Sequence, residues 1–156
     1  MKTTVREALA KAAVWSAQIW LTMFFVGAGY AKLAVSPDHL NLLLGWTVNA
    51  PLGLVRGLGA VEMLLGLAMS FNLLSAVALP RLPAFCGAVL AAMSVVMAVL
   101  HLVRLDFGLA ILNVFLVLLG VTVTRGYVGV IRQRRLLALG HMTDLPGRNL
   151  RKGAVS

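Results

Sequence analysis

The sequence predicts an all-α integral membrane four-helix bundle, with its N- and C-termini cytoplasmic and a short interfacial segment in the first external loop. Three observations lead there. Apolar types make up 60% of the 156 residues and charged types only 12%, with a mean hydropathy of +0.93. A soluble domain of this size keeps too much surface in water to hide so much apolar area. The apolar residues also run in long stretches without the alternation of barrel strands. In lipid every backbone polar group must be satisfied within the chain, which leaves helices. Finally, the basic residues gather at the chain ends, beside apolar runs.

Each element follows in turn. Thr4-Val5-Arg6-Glu7 has the pattern of a capping box, so the first helix is expected to start near Val5. Its span is residues 14–33, expected to stay as an uncleaved helix because the run is longer than a signal-peptide core. Residues 34–53 are apolar, through Leu40, Leu42, Leu43, Leu44 and Trp46, yet too short to cross twice. A short interfacial or re-entrant helix starting near Ser36-Pro37-Asp38 fits, with Trp46 at headgroup level. The second span is 54–75, and Pro80 and Pro83 punctuate the connection to the third, 84–103. The fourth is 107–124, and so few residues separate it from the third that the two must be antiparallel neighbours. Residues 1–124 thus form the bundle and 125–156 a basic cytoplasmic tail. In that tail Val128, Ile131 and Leu136 would rest on lipid while Arg132, Arg134 and Arg135 meet phosphates; a solvated, frayed tail is the alternative.

Charge sets the orientation. With the N-terminus cytoplasmic, four crossings leave eleven basic residues inside and only Lys32, Arg56 and Arg104 outside, as the positive-inside rule requires. The localisation expected is the inner (cytoplasmic) membrane, multi-pass. The net charge of +9 and pI near 11.2 are then read as topology and attraction to anionic lipid, not as nucleic-acid binding. The one cysteine, Cys86, can form no disulfide within the chain, and no C-x-x-C motif occurs.

Ionisable side chains inside a span are costly and mark candidate sites. Lys32 ends the first span, on the same side as Gly29, Phe25, Thr22 and Gln18. Arg56 opens the second, with Glu62 about 9 Å deeper. Gly59 and Gly66 share the face of Glu62, which places it against another helix; Gly53 and Gly57 form a further small-residue pair. A carboxylate there must be paired, hydrogen-bonded or protonated. His101 and Arg104 end the third span above Met97 and Ser94, and Asn113 lies two turns into the fourth, where its amide suits a network with Glu62. Lys32, Arg56, Glu62, His101 and Asn113 therefore come from all four spans at similar depth. They predict a polar pocket in the outer half of the bilayer, walled by Phe25, Met63, Met97 and Phe107. Each also has a duller reading as a snorkelling lysine, a locking salt bridge or a bonded histidine. His39, His101 and His141 lack metal-ligand spacing, and a two-histidine haem would need a second intramembrane histidine, so neither metal nor haem is expected.

These residues carry a resemblance. Phe24-Phe25-Val26-Gly27-Ala28-Gly29-Tyr30-Ala31-Lys32-Leu33 resembles the first-helix signature of the DoxX family. The segment from Arg56 through Gly59 and Glu62 to Leu67 is similar to its second-helix pattern. Met97 to His101 and the Asn113 helix resemble the third and fourth. The likeness runs from about Gln18 to Thr124. It implies a DoxX-like inner-membrane bundle linked to membrane redox chemistry, as a subunit of a quinone-reducing oxidoreductase or a membrane partner of a soluble redox enzyme. Thiol-oxidising relatives carry cysteine pairs, which this chain lacks, so that activity is not carried over.

The function expected is a quinone-interacting component of a membrane redox system and, if catalytic, an oxidoreductase subunit. Glu62 and His101 would be catalytic, with Lys32, Arg56 and Asn113 joining them in binding quinone; a redox protein partner and a homo-oligomer are further expectations. The alternatives are a non-catalytic membrane anchor or assembly partner for other proteins, and a small lipophilic-ligand binder or carrier.

Overall fold

The computed structural model describes residues 2–74 and 79–143. Every regular element among these residues is a helix, and four of the helices are long and apolar enough to cross a membrane. Helix α1 spans Lys2–Ala34, α2 Pro37–Leu44, α3 Leu52–Leu74, α4 Arg81–Val103 and α5 Phe107–Thr143, with a 3-10 turn at Trp46–Asn49 between α2 and α3. The four spans and the short helix in the first connection are as the sequence predicts; Ser75, the expected last residue of the second span, lies outside the described residues.

The differences are at helix ends. Helix α1 already begins at Lys2, so Thr4 sits inside it and does not act as the N-cap. Helix α4 begins at Arg81, which takes Pro83 into its first turn. Proline is tolerated there because first-turn N–H groups have no intrahelical acceptor. Helix α5 runs without a break past Thr124 to Thr143.

Two antiparallel hairpins make the bundle. Helix α1 packs on α3 and α4 on α5, and the hairpins meet through α1 with α5 and α3 with α4. The α1–α3 contact is unusually close. A Cβ on Gly59 would stand 2.6 Å from Lys32 Cβ and 2.9 Å from the Gly29 carbonyl oxygen, so no larger residue fits without a shift. Gly66 meets Val26 in the same way, whereas Gly53 and Gly57 have no neighbour within 4 Å and take no part in helix contact. The α4–α5 turn closes as a Schellman motif: Asp106 N–H donates to the His101 carbonyl at 2.9 Å and Leu105 N–H to the Leu102 carbonyl at 3.0 Å. That motif needs a left-handed residue, usually glycine, and here Leu105 supplies it at φ 60°.

Leu21, Phe25, Met69, Cys86, Leu90, Leu116 and Val123 form the shared core. The outside is just as apolar. In α1 and α5 only 22% of the most apolar stretch is buried within the chain, and Leu64, Phe85, Ile111 and Leu118 are exposed. Only a bilayer solvates such a surface without a large penalty. Helices α3 and α4, of 23 residues each, are about 35 Å long, which matches a hydrocarbon core of about 30 Å. Helices α1 and α5 are longer and overhang together at the termini side, where Val14 packs against Gly126.

Candidate functional site

At the α2 side of the bundle, Lys32 and Glu62 meet. Lys32 Nζ donates to Glu62 Oε2 at 2.5 Å. The close α1–α3 approach at Gly29 and Gly59 is what brings the two side chains together, and both residues are over 90% buried. A buried pair of this kind offsets the large cost of dehydrating each charge, and either partner alone would be stranded.

The pair borders a partly open cavity of about 90 Å³, whose polar lining is Lys32, Glu62, Ser94, His101 and Asn113. Its walls include Phe24, Phe25, Met93 and Met97. Of the expected walls, Phe25 and Met97 are present and Met63 and Phe107 are not; Phe107 is exposed. Leu44 and Trp46, from the end of α2 and the 3-10 turn, lie over the cavity as part of its lining. The guanidinium of Arg104 holds this cover by donating to the Gly45 carbonyl at 3.1 Å, and Gly45 takes the positive φ that turns the chain there.

His101 is 96% buried within α4. Its Nδ1 lies 3.4 Å from Asp106 Oδ2, close enough for electrostatic attraction but without hydrogen-bond geometry, so this buried nitrogen has no hydrogen-bond partner. Ser94 donates back to the Leu90 carbonyl at 2.9 Å. Asn113 donates from its amide nitrogen to the Leu109 carbonyl, one turn back in its own helix, at 2.8 Å; it does not bridge to Glu62.

Arg56 behaves differently from the other four. It does not line the cavity. Its guanidinium donates to the carbonyls of Lys32, Leu33 and Val35, at 2.8 Å to Lys32 and 3.0 Å to Val35. The last carbonyls of a helix lack intrahelical donors, and a cation also suits the negative end of the helix dipole. Arg56 thus ties α3 to the end of α1 and fixes the backbone from which Lys32 projects.

A second polar cluster lies nearer the termini. Gln18 is fully buried, donates to the Met69 carbonyl at 2.9 Å and accepts from the Tyr127 hydroxyl at 2.7 Å. It links α1, α3 and α5 through one amide. Between the two clusters Thr22 Oγ1 is buried without a hydrogen-bond partner. The inward stripe of α1 is legible in the sequence; the partner Tyr127 is not, because it lies beyond the expected fourth span. Leu44, Trp46 and Ser94 are further cavity residues, and only Ser94, below His101 on one helix face, had a signal in the residue spacing. Among the described residues no group of three or more His, Cys, Asp or Glu side chains could hold a metal ion.

The profile of the DoxX-like family matches residues 16–123, well over half of the chain. No curated protein and no solved structure gives a significant match. The matched stretch contains both polar clusters except Tyr127.

Proposed function

We propose, from the premise that this chain belongs to the DoxX-like family, that it binds a quinone headgroup in the cavity beside Lys32 and Glu62 as a component of a membrane redox system. The termini are read as cytoplasmic on the eleven-to-three division of basic residues, which puts the cavity in the outer half of the bilayer. What supports the reading is one observation: Lys32, Glu62, His101 and Asn113, from four different helices, border a single apolar-walled cavity.

The residues suit a ring with two carbonyl oxygens. Lys32 Nζ can donate to one oxygen while still paired. His101, which also lines the cavity, can serve the other. Glu62 is the group that takes up or delivers a proton, in hydrogen-bond reach of Lys32. A bound quinone supplies paired electron and proton carriage; the electrons come from a redox protein partner or a bound substrate. Size sets a condition. A cavity of about 150 Å³ accepts benzene, and this one is about 90 Å³, so a whole ring needs more room than the cavity offers here, which outward movement of Leu44 and Trp46 would supply. The Arg104 bond to Gly45, the residue between them, would resist that movement.

Purified protein should carry quinone, or take it up when added, and Glu62→Gln should lose it. Protein that neither copurifies with nor binds quinone overturns the reading.

A second reading has support of its own. The Lys32–Glu62 pair and the Arg56 bonds to α1 are also what a latch between two helices needs. The chain would then be a non-catalytic anchor or assembly partner. Removal of residues 125–156 would abolish its role, and Glu62→Gln would only lower stability.

A further inference from the structure

At the termini side, the start of α4 and the overhang of α5 enclose two adjoining recesses of about 490 and 410 Å³, both lined by Arg81, Ile131 and Arg135. Leu79, Pro80 and Arg134 complete one, and Val128 and Arg132 the other. We infer that this cleft binds the phosphate headgroup of an anionic phospholipid in the leaflet on the termini side.

Charge is the first argument. Four guanidinium groups line the cleft, and among the described residues the carboxylates with a basic side chain beside them are Glu62, at Lys32, and Asp106, at His101, neither of which lines it. All four arginines are exposed, and among the described residues none of them has an ion-pair partner. Guanidinium is the side chain best matched to phosphate oxygens, through paired N–H donors.

Depth is the second. Helix α4 runs 23 residues from Arg81 to Val103, about 35 Å, so its first residue falls where hydrocarbon gives way to headgroups. Val128, Ile131, Arg132 and Arg135 follow a helical i, i+3, i+4, i+7 spacing and share one face of α5. The apolar pair thus lies nearer the bundle and the arginines one turn farther out. That order suits a lipid, with glycerol and acyl chain against Val128 and Ile131 and phosphate against the arginines. A nucleic acid or a free anion would make no use of an apolar wall at this level.

The test uses the full chain in detergent, with phosphatidylglycerol and phosphatidylcholine as probes, read by native mass spectrometry and by melting temperature. Phosphatidylglycerol should stay bound and raise the melting temperature, and phosphatidylcholine should do neither. R81Q/R135Q should weaken phosphatidylglycerol retention about tenfold, while R6Q/K11Q, which removes two other basic residues near the same end, should leave it unchanged. If R81Q/R135Q does not fold, R132Q carries the same comparison from an exposed position. Equal loss in R6Q/K11Q would mean diffuse attraction and overturn the proposal. So would equal retention of the two lipids, the full shift from inorganic phosphate alone, or displacement of the lipid by a single-stranded oligonucleotide.

Discussion

The two polar clusters of the bundle invite comparison, because they sit on the same stripe of α1 and are built differently. At Gln18 both polar atoms are bonded: the amide gives to Met69 and receives from Tyr127, and Gln18 lines none of the cavities described above. At Lys32 the pair with Glu62 is closed, but the cavity beside it is not, and His101 keeps a buried nitrogen without a hydrogen bond. Polar groups inside a membrane are expensive in both places. Where both polar atoms of the side chain are bonded to other helices, the return is helix association. Where charged and polar side chains line a partly open cavity, a ligand is the natural further partner. The difference separates a structural cluster from a candidate site without any appeal to residue type.

The largest effect expected is from Glu62→Gln, which strands a buried lysine and should cost roughly 3–5 kcal/mol of stability together with ligand binding. The double variant Lys32→Met/Glu62→Met sharpens it. Removing both charges should return stability to within about 1–2 kcal/mol of the parent, measured by thermal melting in detergent, while quinone binding stays lost. Recovery of both would reduce the pair to a latch. Next is Gln18→Leu, which removes the hydrogen bonds to the Met69 carbonyl and from the Tyr127 hydroxyl and should cost about 1–2 kcal/mol. Its ligand affinity should be unchanged; a parallel loss would erase the distinction between the clusters. His101→Leu should reverse that pattern, with quinone affinity down about tenfold, or 1.4 kcal/mol, and melting temperature little altered. The smallest effect is remote from both. Leu105 holds a left-handed conformation that costs a side chain about 1–2 kcal/mol. Leu105→Gly should therefore stabilise the protein by up to about 1 kcal/mol, once the greater freedom of unfolded glycine is subtracted.

Much of this was legible in the residues. The spans follow from apolar length, and the short helix α2 from Ser36-Pro37-Asp38. The gathering of Lys32 and Glu62 at one place was legible because both lie on faces marked by glycine, but the sequence left open whether Glu62 is paired with a cation, hydrogen-bonded or protonated. Arg56 was misleading for a physical reason. Its depth matches the others, but the carbonyls at the end of α1 compete for it, and spacing along one helix cannot say which helix end lies within reach. Asn113 likewise found its acceptor in its own helix. Gly53 and Gly57 had the spacing of a contact without a neighbour to make one. The cover formed by Leu44 and Trp46 depends on how a connection folds back over the bundle, for which periodicity carries no signal.

The hairpin arrangement also bears on how such a chain is made. Lys32 and Glu62 belong to helices joined by one connection, with α2 between them, and neither needs α4 or α5 to find the other. A lone charge costs a nascent helix about 2.5–3.5 kcal/mol at the middle of the bilayer during translocon insertion. Two opposite charges that arrive in sequence on adjacent helices can neutralise each other before synthesis reaches the second hairpin. Biogenesis of the first half thus carries its own chaperoning contact, and loss of either residue should show as poor insertion before it shows as poor activity.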